Sequence, residues 1–505
     1  MSSVPAILIL DKNKTYGRST NKKRLLYKCI PEWVMDHPIL VPYEVPMGFL
    51  KSFTNRYVLI SVGTPHGYIT ENIGEVNDYN SFVKYQMYCR KLWISIQTFS
   101  KYIYSHLHDV QDTDIVHAIL RDPLYTITHY TAQPVITIDP IGCTDIDDGF
   151  SVNVLSEKRI QLNIHIANPV LLFESMGTDT WKQLTDRTTT VYLPHKKEPM
   201  LPTILSEQLC SLLEDTYRIT FTLSVEIDSE TGHICTTTEL NYGYVHVYKN
   251  YAYESEECEK DPTYLILKQM AEMQSHRNMD SHDVVEHWMK IMNQECGKRL
   301  ANQRKGIFRT AHFICPSSSP SPDTTPEVNM ETKRAMVHWS TISGNYSLWE
   351  KDKLDHVGIG ISEYVHITSP IRRIVDLVNQ IAIMKDTPWS TGVYSFLEKY
   401  MSFEGIAEIN RQHKESRKIE QECQDMLWAS SDPSFHKTQE GIVIEIIDSD
   451  VVVYLSELKR TVHVKYRATA AMEHEITQYA RYNFRAYYFE KEGKMRKKIR
   501  WCFVF

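Results

Sequence analysis

The chain has 505 residues, 42% of them apolar and 24% charged, and its 56 basic and 63 acidic side chains give a formal net charge of −7. These values exclude a single small binding module, a disordered chain and a globally basic nucleic-acid coat protein. The ten cysteines form no C-x-x-C pair and no apolar stretch reaches the ~18 residues of a membrane span. We therefore expect a cytoplasmic protein, with the nucleus as the alternative, and no membrane partner.

The elements predicted along the chain change in character three times. Residues 1–110 predict a small β-barrel, because short β-rich runs such as 57–62 alternate with proline and glycine. Helical and strand patterns mix over 111–400, which predicts one large domain. A strongly polar helix at about 404–426, within a helical connector over 401–435, leads to three short strands within 436–505, which predict a second barrel. The predicted fold class is α+β and multidomain, with a central mixed α/β domain.

Four aspartates fall within ten residues, directly after the apolar run 134–138. They are Asp139, Asp145, Asp147 and Asp148. A solvated acidic turn is the plain interpretation, and the spacing does not fit an EF-hand. Hard oxygen ligands at a strand end are also what Mg²⁺ prefers, with water and substrate phosphate completing its octahedron. Two such ions about 4 Å apart would activate a water and stabilise the leaving oxygen in a displacement at phosphorus.

A second segment, more than two hundred residues downstream, reads Ser369-Pro-Ile-Arg372-Arg373. Paired arginines at a helix start would present guanidinium groups and backbone N–H groups to a phosphodiester. An ordinary helix N-terminus whose arginines pair with surface acids is the alternative.

The two segments together resemble the RNB family of 3′→5′ exoribonucleases, which includes bacterial RNase II and RNase R and eukaryotic Dis3. Further matching motifs occur in family order over about 130–395, among them Tyr192-Leu-Pro194, Met200-Leu-Pro202 and Leu209-Cys-Ser-Leu212. The resemblance implies an RNB catalytic domain over 111–400. It also implies OB-type barrels on both sides, cold-shock-like over 1–110 and S1-like over 436–505.

The resemblance also implies roles for individual residues. The four aspartates would bind two Mg²⁺ ions, or Mn²⁺, and the scissile phosphate, and loss of Asp147 would remove cleavage while leaving binding. Asp147, Asp148, Arg372 and Arg373 would be catalytic, the arginines stabilising charge in the transition state. The RNA-binding residues would be Tyr253, Glu286, Tyr192 and Ser369; a core aromatic with a bonded hydroxyl is the alternative for the two tyrosines.

The implied activity is Mg²⁺-dependent hydrolysis of single-stranded RNA from a free 3′ end to nucleoside 5′-monophosphates. Basic and aromatic side chains interleave at 21–28 and 49–57, and a basic run at 494–500 lies beside Trp501; we expect the barrels to bind the RNA through such positions. We expect a monomer, and the sequence identifies no protein partner.

The chain departs from the family pattern at four places. Ile374 stands where tyrosine is usual, Gln380-Ile381 where a His-Arg pair is usual, and Asn168 where aspartate is usual. The stretch between Arg277 and Val284 lacks a segment that in relatives contains an aromatic clamping the terminal base. These departures bear on the grip on the 3′ end. They keep open a catalytically degenerate RNA-binding protein as the alternative function, and a non-nucleolytic phosphohydrolase as a more distant one.

Overall fold

The computed structural model describes residues 3–11, 13–20, 23–32, 38–45, 53–63, 66–107, 112–311, 344–350, 354–356, 360–384, 386–466, 476–489 and 498–505. The basic and aromatic positions 21–22, 49–52 and 494–497 lie outside these ranges. No helix within them is long and apolar enough to cross a membrane.

The first region is a five-stranded antiparallel sheet with the order β3-β2-β1-β4-β5. Its edges approach each other, since the Gly67 N–H donates to the Leu40 carbonyl at 3.1 Å. All five residues of β1 are buried, which places this strand in the centre of the core. Three helices follow the sheet. The elements are β1 (Val4–Leu8), β2 (Leu25–Pro31), β3 (Ile39–Tyr43), β4 (Arg56–Ser61), β5 (Tyr68–Glu75), α1 (Tyr79–Cys89), α2 (Gln97–Leu107) and α3 (Asp112–Arg121).

The central region is a six-stranded sheet with helices packed around it. Its first strands and helices are β6 (Ile127–His129), β7 (Val135–Asp139), β8 (Asp148–Ser156), β9 (Arg159–Ala167), α4 (Pro169–Ser175), α5 (Asp179–Gln183), β10 (Val191–Leu193), β11 (Lys196–Glu198), β12 (Thr216–Asp228) and β13 (Ile234–Ala252). They continue with α6 (Pro262–Ser275), α7 (Ser281–Asn302), β14 (Ile307–Thr310), β15 (Asn345–Leu348), β16 (Asp355–His356), β17 (Ile361–Ser362), α8 (Ile374–Ile383), α9 (Thr391–Tyr400) and α10 (Phe403–Ser431). Short turns are π-helical at Leu205–Leu209 and 3₁₀ at Cys258–Lys260 and Pro433–His436.

The central sheet closes into a ring. Its order is β12-β9-β8-β7-β13-β6, and β12 also pairs with β13. Apolar residues alternate along β9 and fill one continuous core with α6 and α7, as expected for strands that bury one face against helices. Because β7 ends at Asp139 and the antiparallel β8 begins at Asp148, the loop between them lies at one end of the ring.

The last region is a closed five-stranded barrel with the order β18-β19-β20-β22-β21. The long helix α10 joins it to the rest of the molecule. Arg90 after α1 donates to Glu415 and Glu422 of α10 at 2.8 and 2.6 Å, and Lys498 donates to the Val76 carbonyl. The strands are β18 (Gln439–Ile447), β19 (Asp450–Leu455), β20 (Arg460–Lys465), β21 (Arg481–Tyr488) and β22 (Ile499–Val504).

Candidate active site

The four aspartates lie together where β7 connects to β8: Asp139 is the last residue of β7, Asp148 is the first of β8, and Asp145 and Asp147 lie in the loop between them. Hydrogen bonds with residues 211–212 fix this loop. The Ile146 N–H donates to Ser211 Oγ at 3.0 Å, and the Leu212 N–H donates to the Ile146 carbonyl at 3.0 Å. Ile146 itself is buried in a small apolar cluster. The loop is therefore a fixed structure that directs its carboxylates, and it differs from a solvated acidic turn.

Asp147 joins the acidic loop to the arginine segment. Its Oδ1 accepts the Ile371 N–H at 2.9 Å and its Oδ2 accepts Arg372 Nε–H at 2.9 Å. The residue is 2% exposed. Burial raises the pKa of Asp147 to about 7, although the Arg372 charge and the Ile371 N–H act in the opposite direction. The structure thus brings the two predicted segments into direct contact.

The arginine segment is a tight turn in which the two arginines have different partners. The Ser369 carbonyl accepts the N–H groups of Arg372 and Arg373, at 3.2 and 3.0 Å. Arg373 forms an ion pair with the fully buried Asp376 at 2.8 Å, and Asp376 also accepts the Ser369 N–H. Within the described residues, Arg372 therefore points to the acidic loop, while the ion pair of Arg373 lies inside its own turn.

Asp145 is held by the hairpin β10–β11. Its Oδ2 accepts the Tyr192 hydroxyl at 2.7 Å and its Oδ1 accepts Lys197 Nζ–H at 2.8 Å. The Cys143 thiol lies 3.8 Å from Oδ1. Lys197 is a site residue that the sequence motifs did not identify, although it lies only five residues after Tyr192 in the same matching stretch.

Asp139 and Asp148, at the facing ends of β7 and β8, are the other two aspartates of the site. Burial raises the pKa of both carboxyl groups, and the negative charge of Asp139 raises that of Asp148 further. Asp139 Oδ2 is buried and has no hydrogen-bond partner among the described residues. Buried polar atoms are normally paired, so this oxygen marks a position for a donor or a cation.

The residues fit a divalent cation through these two carboxylates. Within the described ranges, no group of three or more His, Cys, Asp or Glu side chains is placed to bind a metal ion. Mg²⁺ needs fewer protein ligands than three, since one or two carboxylates suffice when water and phosphate oxygens complete its coordination. The oxygen chemistry and the unpartnered Asp139 Oδ2 suit such an ion.

Tyr253 follows β13 directly at the same end of the ring. Its N–H donates to the Asp139 carbonyl at 3.0 Å, and its ring stacks on His282 with centroids 3.7 Å apart and planes 14° apart. His282 lies in the first turn of α7, in the stretch where the family resemblance implies a missing segment. Glu286, one turn further, is exposed and pairs with Lys290 at 2.7 Å. Tyr253 and Glu286 stay predictions from the sequence motifs, which did not include His282.

Three departures from the family pattern have structural partners. Asn168 caps α4 by accepting the Leu171 N–H at 3.2 Å. Gln380 is buried and donates to the Ala167 carbonyl at 3.0 Å, and Ile374 is fully buried in the helical core. None of these side chains has a hydrogen bond with the acidic loop within the described residues.

The sequence of this chain is similar to those of known proteins. The family model of the RNB domain matches residues 127–260 and 257–385, which together span half of the chain. Ribonuclease R of Helicobacter pylori is 24% identical over 394 residues, covering 65% of this chain and 60% of that protein. DIS3-like exonuclease 2 of Schizosaccharomyces pombe is 39% identical over 95 residues, which is 19% of this chain but 10% of that protein.

Solved structures share the fold over most or all of the chain. Mycoplasma genitalium RNase R in complex with ribose methylated single-stranded RNA superposes with a TM-score of 0.67 at 15% identity, covering 100% of this chain and 90% of that one. Yeast Ssd1, a pseudonuclease, superposes with a TM-score of 0.57 at 12% identity, covering 92% and 65%. These likenesses confirm the predicted α+β fold class with a β-barrel on each side of the central domain. The predicted domain boundaries stay predictions.

Proposed function

This chain belongs to the RNB family, and we propose that it is a Mg²⁺-dependent exoribonuclease that hydrolyses single-stranded RNA from the 3′ end to nucleoside 5′-monophosphates. One observation carries the proposal: Asp147 accepts hydrogen bonds from both Ile371 and Arg372. This contact joins an acidic loop and a basic turn, which is the charge arrangement that hydrolysis of a phosphodiester requires.

Asp139 and Asp148 would hold the metal, as the unpartnered Asp139 Oδ2 supports. A divalent ion bound there would polarise a phosphate oxygen and lower the pKa of a bound water. Arg372 donates its Nε–H to Asp147. Its Nη groups would donate to the phosphate, since none of their hydrogen bonds within the described residues competes with it. Asp147 would act by orienting this guanidinium, so that its positive charge meets the charge that develops on phosphorus.

Tyr253 and the stacked His282 would form a platform for the terminal base of the RNA. Each stacked base contributes about 1–3 kcal/mol to binding of single strands. Tyr192 would also contact the RNA, while its hydroxyl orients Asp145. Ser369 would act through the turn that it closes, and Glu286 through the exposed face of α7.

The test uses four substrates and two proteins, wild type and one variant. Single-stranded and duplex RNA, each with a free or a blocked 3′ end, are incubated with wild type and Asp147→Asn in Mg²⁺ and then in EDTA. We expect mononucleotide release only from the free 3′ end of single strands, only in Mg²⁺ and only by wild type. Activity that ignores both the metal and the 3′ block would overturn the proposal.

A second candidate is a family member that binds RNA without cutting it. The observation that favours it is the likeness in fold to the pseudonuclease Ssd1, together with Ile374 in place of tyrosine. Wild type that binds single-stranded RNA but cleaves it no faster than Asp147→Asn would support this candidate.

A further inference from the structure

Lys197 bridges two carboxylates inside the candidate site. Its Nζ donates to Asp145 Oδ1 at 2.8 Å, to Thr144 Oγ1 at 2.7 Å and to Glu207 Oε1 at 2.8 Å. An ammonium group has three N–H donors, so these three oxygens use all of them. The lysine side chain is 23% exposed and that of Asp145 is 5% exposed, so the pair is largely shielded from water.

The lysine and Tyr192 act on Asp145 as one unit. They are direct cross-strand partners in the hairpin β10–β11, and such partners project from the same face of a ribbon. Each therefore supplies one donor to one oxygen of the same carboxylate. The Tyr192 N–H also donates to Glu420 of α10 at 2.8 Å, which anchors the hairpin to the long helix.

The consequence is electrostatic. Asp145 has an ammonium bound at Oδ1 and a hydroxyl at Oδ2, whereas Asp139 Oδ2 has no partner within the described residues. A divalent cation near Asp145 would have to displace the lysine from a buried pair, and leaving a buried charge unpaired is costly. The Arg372 charge also acts on Asp139 and Asp148, but among the described residues neither carboxylate forms a direct ion pair that the cation would have to break.

We propose that Lys197 is a positioning residue that holds Asp145 out of the coordination of the divalent metal. The metal is thereby restricted to Asp139 and Asp148 and is bound less tightly than four free carboxylates would bind it. This inference rests on the proposed function for the metal site, and it assigns a role to a residue outside the acidic and arginine segments.

The test measures Mn²⁺ binding to the full chain by the EPR signal of free Mn²⁺, without RNA. Removing one positive charge close to a divalent ion should lower the Mn²⁺ Kd of Lys197→Met by about tenfold. Lys197→Arg should restore the wild-type Kd. Lys196→Met is the matched control, because Lys196 pairs with Glu198 on the same hairpin, and it should leave the Kd unchanged.

Two further variants separate the proposed role from a purely structural one. Adding Asp145→Asn to Lys197→Met should cancel the gain in Mn²⁺ affinity, because Asp145 is the carboxylate that is released. Tyr192→Phe, which removes one hydroxyl, should lower the Kd by about threefold and keeps the test available if Lys197→Met fails to fold. A Kd that is the same in wild type, Lys197→Met and Tyr192→Phe, or Mn²⁺ binding that none of them shows, would overturn the inference.

The outcome for RNA hydrolysis is read separately. Wild type that cleaves no RNA contradicts the proposed function, while the shift in Mn²⁺ Kd still decides the role of Lys197. An active wild type with an unchanged Kd in Lys197→Met contradicts only the role of the lysine.

Discussion

The four aspartates of the site form two pairs in different chemical situations: a closed half, Asp145 and Asp147 in the β7–β8 loop, and an open half, Asp139 and Asp148 at the strand ends. Asp145 and Asp147 have both carboxylate oxygens bound by donors from distant segments. Asp148 is buried and Asp139 is partly buried, burial raises the pKa of both carboxyl groups, and Asp139 Oδ2 has no partner within the described residues. The difference shows that half of an acidic motif can organise cationic groups, while the other half remains open to a metal and a substrate.

The largest effect should come from the open half. Asp148→Asn should lower kcat for RNA hydrolysis by about 10³-fold, because a carboxylate that binds the metal is lost. RNA affinity in EDTA should change little. Initial rates across a Mg²⁺ titration, beside RNA binding measured by fluorescence anisotropy, check this. A rate within tenfold of wild type would remove the distinction between the two halves.

The closed half should respond in stability as well as in rate. Arg372→Ala leaves Asp147 buried without its cation, so we expect a loss of about 1–3 kcal/mol in the free energy of unfolding. The rate should fall by about 10²-fold. Urea unfolding and steady-state kinetics measure the two effects. Arg372→Lys, which keeps the charge without the planar geometry, should recover more of the stability than of the rate.

The stacked pair beside the open half should affect substrate binding more than chemistry. His282→Ala removes one ring from the platform at Tyr253, and we expect KM to rise by about tenfold with kcat nearly unchanged. The control is His233→Ala, because His233 is an exposed histidine in the turn before β13 and outside the stacked pair. An unchanged KM together with shorter final products would instead limit His282 to the last steps of degradation.

The smallest effect concerns His165 on β9 of the central ring of strands, a buried side chain that is neutral, unlike the aspartates. Burial lowers the pKa of His165 to about 3, and both ring nitrogens have hydroxyl partners, Ser151 and Thr222. Below about pH 6.5 the His165 imidazole takes up a proton in the unfolded chain but stays neutral in the folded chain. Stability should therefore be full above pH 6.5 and decrease as the pH falls from there towards 3.

Between pH 7 and pH 5.5 this decrease should be about 1 kcal/mol for one such histidine. Urea unfolding at both pH values, in wild type and His165→Gln, measures it, with His233→Gln as the matched control. If the free energy of unfolding changed equally with pH in all three proteins, the neutral burial of His165 would not contribute to this dependence.

Much of the fold followed from local patterns. The alternation of apolar residues in β9 and the continuous apolar run of β19 depend only on neighbours along the chain, and so does the polar helix α10. The four aspartates and the arginine turn could be identified for the same reason, since each is a short run of residue types. His282 could not be identified in this way, because a single histidine at a helix start carries no pattern.

The sequence by itself determined the α+β class, the family resemblance and the two segments from which the site is built. Only the tertiary structure decided which aspartate meets which donor. Asp147 and Arg372 are 225 residues apart, and Asp145 and Lys197 are 52 apart. Such contacts depend on how the ring closes and where the hairpin packs, and no local spacing encodes them. Burial, which raises the pKa values of three of the four carboxyl groups, likewise exists only in the folded chain.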